Sequence, residues 1–135
     1  MKDFKRNLRR AVMRYVNLSN ILVLRKISRK VEQKFPTGED LVKENLLLPK
    51  ELEMFDKIDN QSPQESTWVP LMWAMRLISN AFDEEKIKIP APVFSHLQGT
   101  FDSIERNNRM LLNYGWMNFP LAYTQVSATY AGRVI

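Results

Sequence analysis

From Asp3 to Phe35, Leu8, Val12, Tyr15, Leu18 and Leu22 recur at three- to five-residue spacing, and after a drift of the stripe Ile27 and Val31 continue it. That spacing puts the apolar side chains on one side of a long helix, which Pro36 is expected to end. Thr37-Gly38-Glu39-Asp40 has the Thr-x-x-acid order of a capping box, in which the hydroxyl accepts from a free backbone N–H. A short helix is therefore expected from Glu39 to about Asn45. Pro49 suits a first helical position, where a missing N–H costs nothing, and Leu52, Phe55 and Ile58 then line one face. Asp59 to Ser66 reads as a loop, because its side chains compete for backbone hydrogen bonds. Trp68 to Phe82 reads as a largely apolar helix, buried on several sides, with Pro70 tolerated in its first turn. A charged connection with Pro90 and Pro92 leads to Val93, Leu97, Phe101, Ile104 and Leu111, which mark an amphipathic helix from about Pro92 to Asn113. Gly115 is expected to stop it in a left-handed conformation, and a last helix is expected from about Asn118 to Tyr130. Strand-like alternation is nearly absent, so the class is all-α, in a single domain over residues 1–135.

Charge changes this picture by being uneven. Up to Lys34 there are 11 Lys/Arg against 2 Asp/Glu, and the remainder holds 9 against 13, so the net +5 comes entirely from the first segment. Such a segment attracts small anions, anionic lipid headgroups or nucleic-acid phosphates, and charge alone does not choose among them. A soluble basic helical adaptor, or a module binding nucleic acid or an anionic surface, is thus one reading. Against nucleic acid, the basic helix is long and interrupted by Ile21 to Leu24, rather than a short recognition helix after a tight turn.

Candidate chemistry is sparse. There is no cysteine, and His96 is the single histidine, so a typical zinc site cannot be assembled, and no Ser or Asp is placed in the sequence to suggest a nucleophilic triad. His96 is expected to be structural or superficial. Glu51/Glu53 and Glu84/Glu85 are paired carboxylates on segments that read as wet, where ordinary acidity is expected and enzyme chemistry is not. The glycines stand isolated, which excludes a glycine-rich phosphate loop. Asn17-Leu18-Ser19 fits a glycosylation pattern but sits inside the first helix. Trp68, Trp73 and Trp116, with Tyr114 and Tyr123, suit core packing, a membrane-interface belt or a stacking platform for bases. No apolar run approaches the roughly 20 residues of a membrane-crossing helix, and no secretory signal is visible.

Four stretches point further. Phe119-Pro120-Leu121-Ala122-Tyr123-Thr124-Gln125-Val126 closely matches Ile-Pro-Leu-Val-Tyr-Thr-Gln-Val, a signature of bestrophin anion channels. Arg14-Tyr15-Val16-Asn17-Leu18, Lys34-Phe35-Pro36-Thr37, and Trp68-Val69-Pro70 with Trp73 fall in the same family order. The chain therefore resembles a bestrophin over most of its length. Tyr114-Gly115-Trp116 departs from the family's Tyr-Asp-Trp by losing the acid.

The resemblance implies a chloride-channel subunit in a homo- or hetero-pentamer, with this chain forming intracellular vestibule between the second and third membrane passes and reaching the start of the third. Arg14, Tyr15, Asn17, Phe35, Pro36, Trp68, Pro70, Trp73, Pro120, Tyr123, Thr124 and Gln125 become structural or pore-lining candidates. Ala91, Pro92 and Val93 become candidates for a cytosolic constriction. The family's neck would precede this chain and its calcium site would follow it, so no cofactor is expected here and chloride is the permeant ion. Partners would be other bestrophin subunits and a cell membrane, not nucleic acid, with this segment on the cytoplasmic side. The chain is expected to be truncated and not to conduct alone, with Trp116 to Ile135 its most association-prone part.

Overall fold

The structure, a computed structural model, describes residues 2–63 and 66–116, together with 125–126, 128–129 and 131–132. In chain order the helices are α1 (Lys2–Ile27), α2 (Arg29–Lys34), α3 (Gly38–Lys43), α4 (Pro49–Gln61), a 3-10 turn (Ser66–Trp68), α5 (Val69–Asp83) and α6 (Ala91–Trp116). No strand occurs among the described residues. The all-α expectation stands.

The expected single helix to Phe35 is instead two. Ser28 is extended (φ −123°, ψ 116°) and separates α1 from α2. Physically, the drifting stripe would have carried Val31 and Phe35 away from Leu18 and Leu22. The break lets Phe35, with Val31 beside it, join a cluster of Leu18, Leu22, Leu41, Leu47 and Phe55. Serine suits the break because its side chain competes for backbone partners. Ile27, just before it, is left 39% exposed. Leu18, Leu41 and Leu47 are essentially fully buried, each contributing about 1.5–3 kcal/mol by leaving water.

α3 begins one residue earlier than expected, and the capping box pairs Thr37 with Asp40. The Thr37 hydroxyl donates to Asp40 at 2.7 Å, and the Thr37 backbone N–H donates to the same carboxylate at 3.1 Å. Asn45 (φ 58°) then takes the left-handed position after α3, with Leu46 N–H bonding the Leu41 carbonyl at 3.0 Å. Pro49 opens α4 as expected, but α4 absorbs Asp59, Asn60 and Gln61, so the loop is shorter than the composition suggests.

α5 is the inner helix. Val69, Pro70, Leu71, Ala74, Ile78 and Ala81 are buried, and the small Ala74 and Ala81 let α1 approach closely. Its two ends fix direction: Thr67 meets Ser19, whereas Lys86 lies 5.4 Å above the Phe4 ring, so α5 runs antiparallel to α1. α6 returns alongside α1. Tyr15, Leu71, Ala74, Ile78 and Phe101 form the second buried cluster, with Leu97 and Ile104 half-buried against it. The expected packing of the first and last long helices is thus observed. Val93 and Leu111, counted into the apolar stripe, lie at its exposed margin at 53% and 44%. Nor does Gly115 stop α6, which continues through it to Trp116. The expected helix from Asn118 to Tyr130 falls largely outside the described residues.

Candidate functional site: the two faces of α1

One turn of α1 organises the buried polar chemistry. Arg14 donates to both oxygens of Glu51, at 2.7 and 2.9 Å, and to the Leu46 carbonyl at 3.1 Å. The Tyr15 hydroxyl donates to Glu51 at 2.6 Å, and the Leu48 backbone N–H donates to it at 2.9 Å. Tyr15 also meets Trp73 edge-on, with centroids 5.7 Å apart. Burial pushes the Glu51 carboxyl up, but the Arg14 guanidinium, the Tyr15 hydroxyl and the Leu48 N–H together outweigh it and hold the carboxyl below its usual range. Burial, with the bond to Glu51 second, pushes the Tyr15 hydroxyl up, so it stays protonated as a donor. Arg14 is held charged by Glu51 against its own burial.

Glu51 corrects the reading of it as a wet carboxylate, since only 7% of the residue is exposed. Its placement three residues after Leu48, accepting the N-terminal N–H, was legible as a helix-start acid. Its pairing with Arg14, 37 positions away, was not. Sequence reasoning also passed over Ser19, which is fully buried. Its hydroxyl donates to the Thr67 carbonyl at 2.8 Å and accepts from the Asn108 amide at 3.3 Å, tying α1 to the start of α5 and to α6.

The opposite face of α1 is electropositive. Lys2, Lys5, Arg6, Arg9 and Arg10 are all exposed. At 3.6 residues per turn they share the side turned away from Tyr15, Leu18 and Leu22. Among the described residues one ion pair touches this set, Arg6 to Asp3 at 2.7 Å, and both side chains there are mostly in water. The cations also sit at the positive end of the helix dipole, so the potential adds rather than cancels. No cluster that could hold a metal ion, and no helix long and apolar enough to cross a membrane, occurs among the described residues.

The remaining candidates scatter. Arg14, Tyr15 and Trp73 come together, whereas Asn17 is exposed on the outer face of α1. Phe35 is buried and Pro36 exposed beside it; Trp68 is half-buried and Pro70 buried where α5 starts. Ala91, Pro92 and Val93 are exposed on the first turn of α6, and His96 follows them, also exposed. Gln125 is exposed, and its carbonyl accepts from the Thr129 hydroxyl at 2.8 Å. Pro120, Tyr123 and Thr124 lie outside the described residues.

Comparison with known proteins agrees with the resemblance. Residues 1–132 match the family described as "Bestrophin, RFP-TM, chloride channel". Bestrophin-1 of Sus scrofa is 36% identical over 121 residues, covering 90% of this chain and 20% of the relative. Bestrophin-3 of Homo sapiens is 34% identical over 124 residues, covering 90% and 18%. Bestrophin homolog 13 of Caenorhabditis elegans is 35% identical over 121 residues, covering 89% and 29%. The chain thus spans from under a fifth to under a third of these relatives' length.

Proposed function

The chain belongs to the bestrophin family, and from that premise we propose that it is a segment of an anion-channel subunit in which the outer face of α1 borders the aqueous anion path. The observation that carries this reading is the row of exposed cations from Lys2 to Arg10, backed by a helix whose other side is committed to the core. Cations on the wall of a narrow aqueous cavity raise its potential, concentrate chloride and exclude cations. In a pentameric ring the effect multiplies, because each subunit brings the same face to one axis. The Arg14–Glu51–Tyr15 node serves this arrangement by holding α1 against α4 with no net charge of its own. The exposed first turn of α6, with Ala91, Pro92 and Val93, is the part we assign to a constriction. We place this segment on the cytoplasmic side of a cell membrane, with other subunits as partners, and expect no chloride current from the chain alone.

The test is a transplant. The matching segment of Sus scrofa bestrophin-1 is replaced by this chain, with and without Lys5, Arg6, Arg9 and Arg10 changed to Gln, and chloride current is recorded at low and high salt. Neutralisation should lower the current most at low salt, where the screening length is about 30 Å at 0.01 M against about 8 Å at 0.15 M. Equal currents at both salt levels would mean that this face does not border the path.

A further inference from the structure

Three hydroxyls of this chain follow a cation by three positions: Ser28 after Arg25, Thr37 after Lys34 and Ser79 after Arg76. A serine/threonine kinase with an acidic cleft reads that spacing, taking its substrate extended and setting carboxylates against the cations beside the acceptor. The fold separates the three. Ser79 lies inside α5 between the buried Ile78 and Ala81, and can be extended only by opening the core. Thr37 donates its hydroxyl to Asp40 at 2.7 Å, and Glu39 and Asp40 set like charge against such a cleft. Ser28 has cations on both sides, Arg25 and Lys26 before it and Arg29 and Lys30 after it.

The backbone at Ser28 suits the same reading. It is already extended, at φ −123° and ψ 116°, and its half-buried hydroxyl makes no capping hydrogen bond. The helices on either side are shallowly held: α2 is six residues long and buries none of them, and the last turn of α1 leaves Leu24 41% and Ile27 39% exposed. The junction rests on backbone bonds from Ser28 N–H to the Leu24 carbonyl at 2.8 Å and from Glu32 N–H to the Ser28 carbonyl at 3.0 Å. A segment with so few buried contacts opens locally at low cost, so it extends into a cleft while Leu18, Leu22 and Phe35 stay buried.

We propose that Ser28 is a phosphorylation site for a kinase that selects cations beside the acceptor, with ATP as the donor. The Ser28 Oγ attacks the γ-phosphorus: an Oγ–P bond forms, the bond to the bridging oxygen breaks, ADP leaves, and the hydroxyl proton passes to the kinase's carboxylate base. The phosphate brings about −1.5 to −2 charges at pH 7. Residues 1–34 carry 11 Lys/Arg and 2 Asp/Glu, so their net charge of +9 falls to about +7. That charge acts locally. Ser28 lies 18 residues after Arg10, about 27 Å along α1, against a screening length of about 8 Å at 0.15 M salt. The exposed cations from Lys2 to Arg10 therefore keep their potential, and the phosphate's partners are Arg25, one turn back, and Arg29 beside it. Neither arginine forms an ion pair among the described residues, and guanidinium takes phosphate through paired hydrogen bonds. Phosphorylation thus ties the end of α1 to the start of α2 across the break. The inference draws on the channel reading only for the cytoplasmic placement, where ATP and kinases occur.

The full chain is incubated with magnesium ATP and the catalytic domains of protein kinases A and C, and phosphate is located by tandem mass spectrometry. Phosphate on Ser28 is the expected product. Arg25→Gln should slow its transfer about tenfold or more, since one charged contact to the kinase is lost. Ser28→Ala should remove it, and circular dichroism checks that each chain is folded. Phosphorus NMR then follows the second ionisation of the phosphate, which ordinarily lies at about pH 6. In the parent it should lie lower, and in Arg29→Gln it should move back toward that value; identical titrations would overturn the bridging role. Transfer to Thr37 or Ser79 instead, no transfer by either kinase, or transfer to Ser28 only after unfolding in urea would overturn the site. None of these outcomes bears on the chloride current of the transplanted segment, so the channel reading is judged separately.

Discussion

Glu51→Gln is the most informative single change, because one carboxylate holds four donors from two segments, α1 and the start of α4. The variant keeps the shape but removes the charge that Arg14 faces at 2.7 Å, where the two side chains retain 20% and 10% exposure. Breaking a buried pair by removing one partner costs about 3–5 kcal/mol. Here Arg14 keeps the Leu46 carbonyl and some water, so the lower part of that range applies, about 3–4 kcal/mol. With a urea m-value of about 1–3 kcal/mol/M the midpoint should fall by about 1–2 M, read from tryptophan fluorescence since Trp73 packs on Tyr15. Arg14→Met alone should cost a similar amount, and Arg14→Met with Glu51→Gln much less than the two singles together. The coupling energy from that cycle should be about 2 kcal/mol or more. A coupling under about 0.5 kcal/mol would refute the view that Arg14 and Glu51 are held as a pair rather than merely adjacent.

The same node sets a pH dependence: with the Glu51 acidity depressed in the fold, its stabilisation is present above the unfolded value and lost as pH falls through the folded one. Acid titration should therefore destabilise the parent more than Glu51→Gln, and parallel curves would contradict the assignment. Tyr15→Phe should cost about 1–2 kcal/mol and raise the acid midpoint, measured by the same titration. Glu85 sits left-handed (φ 53°) after α5, with Lys86 N–H bonding the Ala81 carbonyl at 3.0 Å, so Glu85→Gly should stabilise by about 0.5–1 kcal/mol in urea melts. Loss of stability there would indicate that the Glu85 side chain matters more than its backbone. Leu41→Ala should cost about 2–5 kcal/mol, whereas Met54→Ala, half-exposed on α4, should stay within about 0.5 kcal/mol.

Period and punctuation decided much of this molecule before any contact was known. The recurrence of Tyr15, Leu18 and Leu22, the first-turn prolines Pro49 and Pro70, and the stripe of Leu97, Phe101 and Ile104 are local signals. A helix reports them because neighbours three and four apart share a side whatever the rest of the chain does. Family membership was equally legible, through short runs such as Arg14-Tyr15-Val16-Asn17-Leu18. Tertiary structure decided what local rules cannot weigh. Ser28 breaks α1 because Phe35 gains a buried place beside Leu18, and that gain appears only once α3 and α4 are folded over it. Gly115 stays helical although glycine often ends a helix, since propensity is a small term against the continuity of a long helix. Glu51 resembles Glu53 in the sequence, yet one is buried and the other exposed. The difference lies in which side of α4 meets Arg14 and Tyr15, a pairing across 37 residues that carries no local trace.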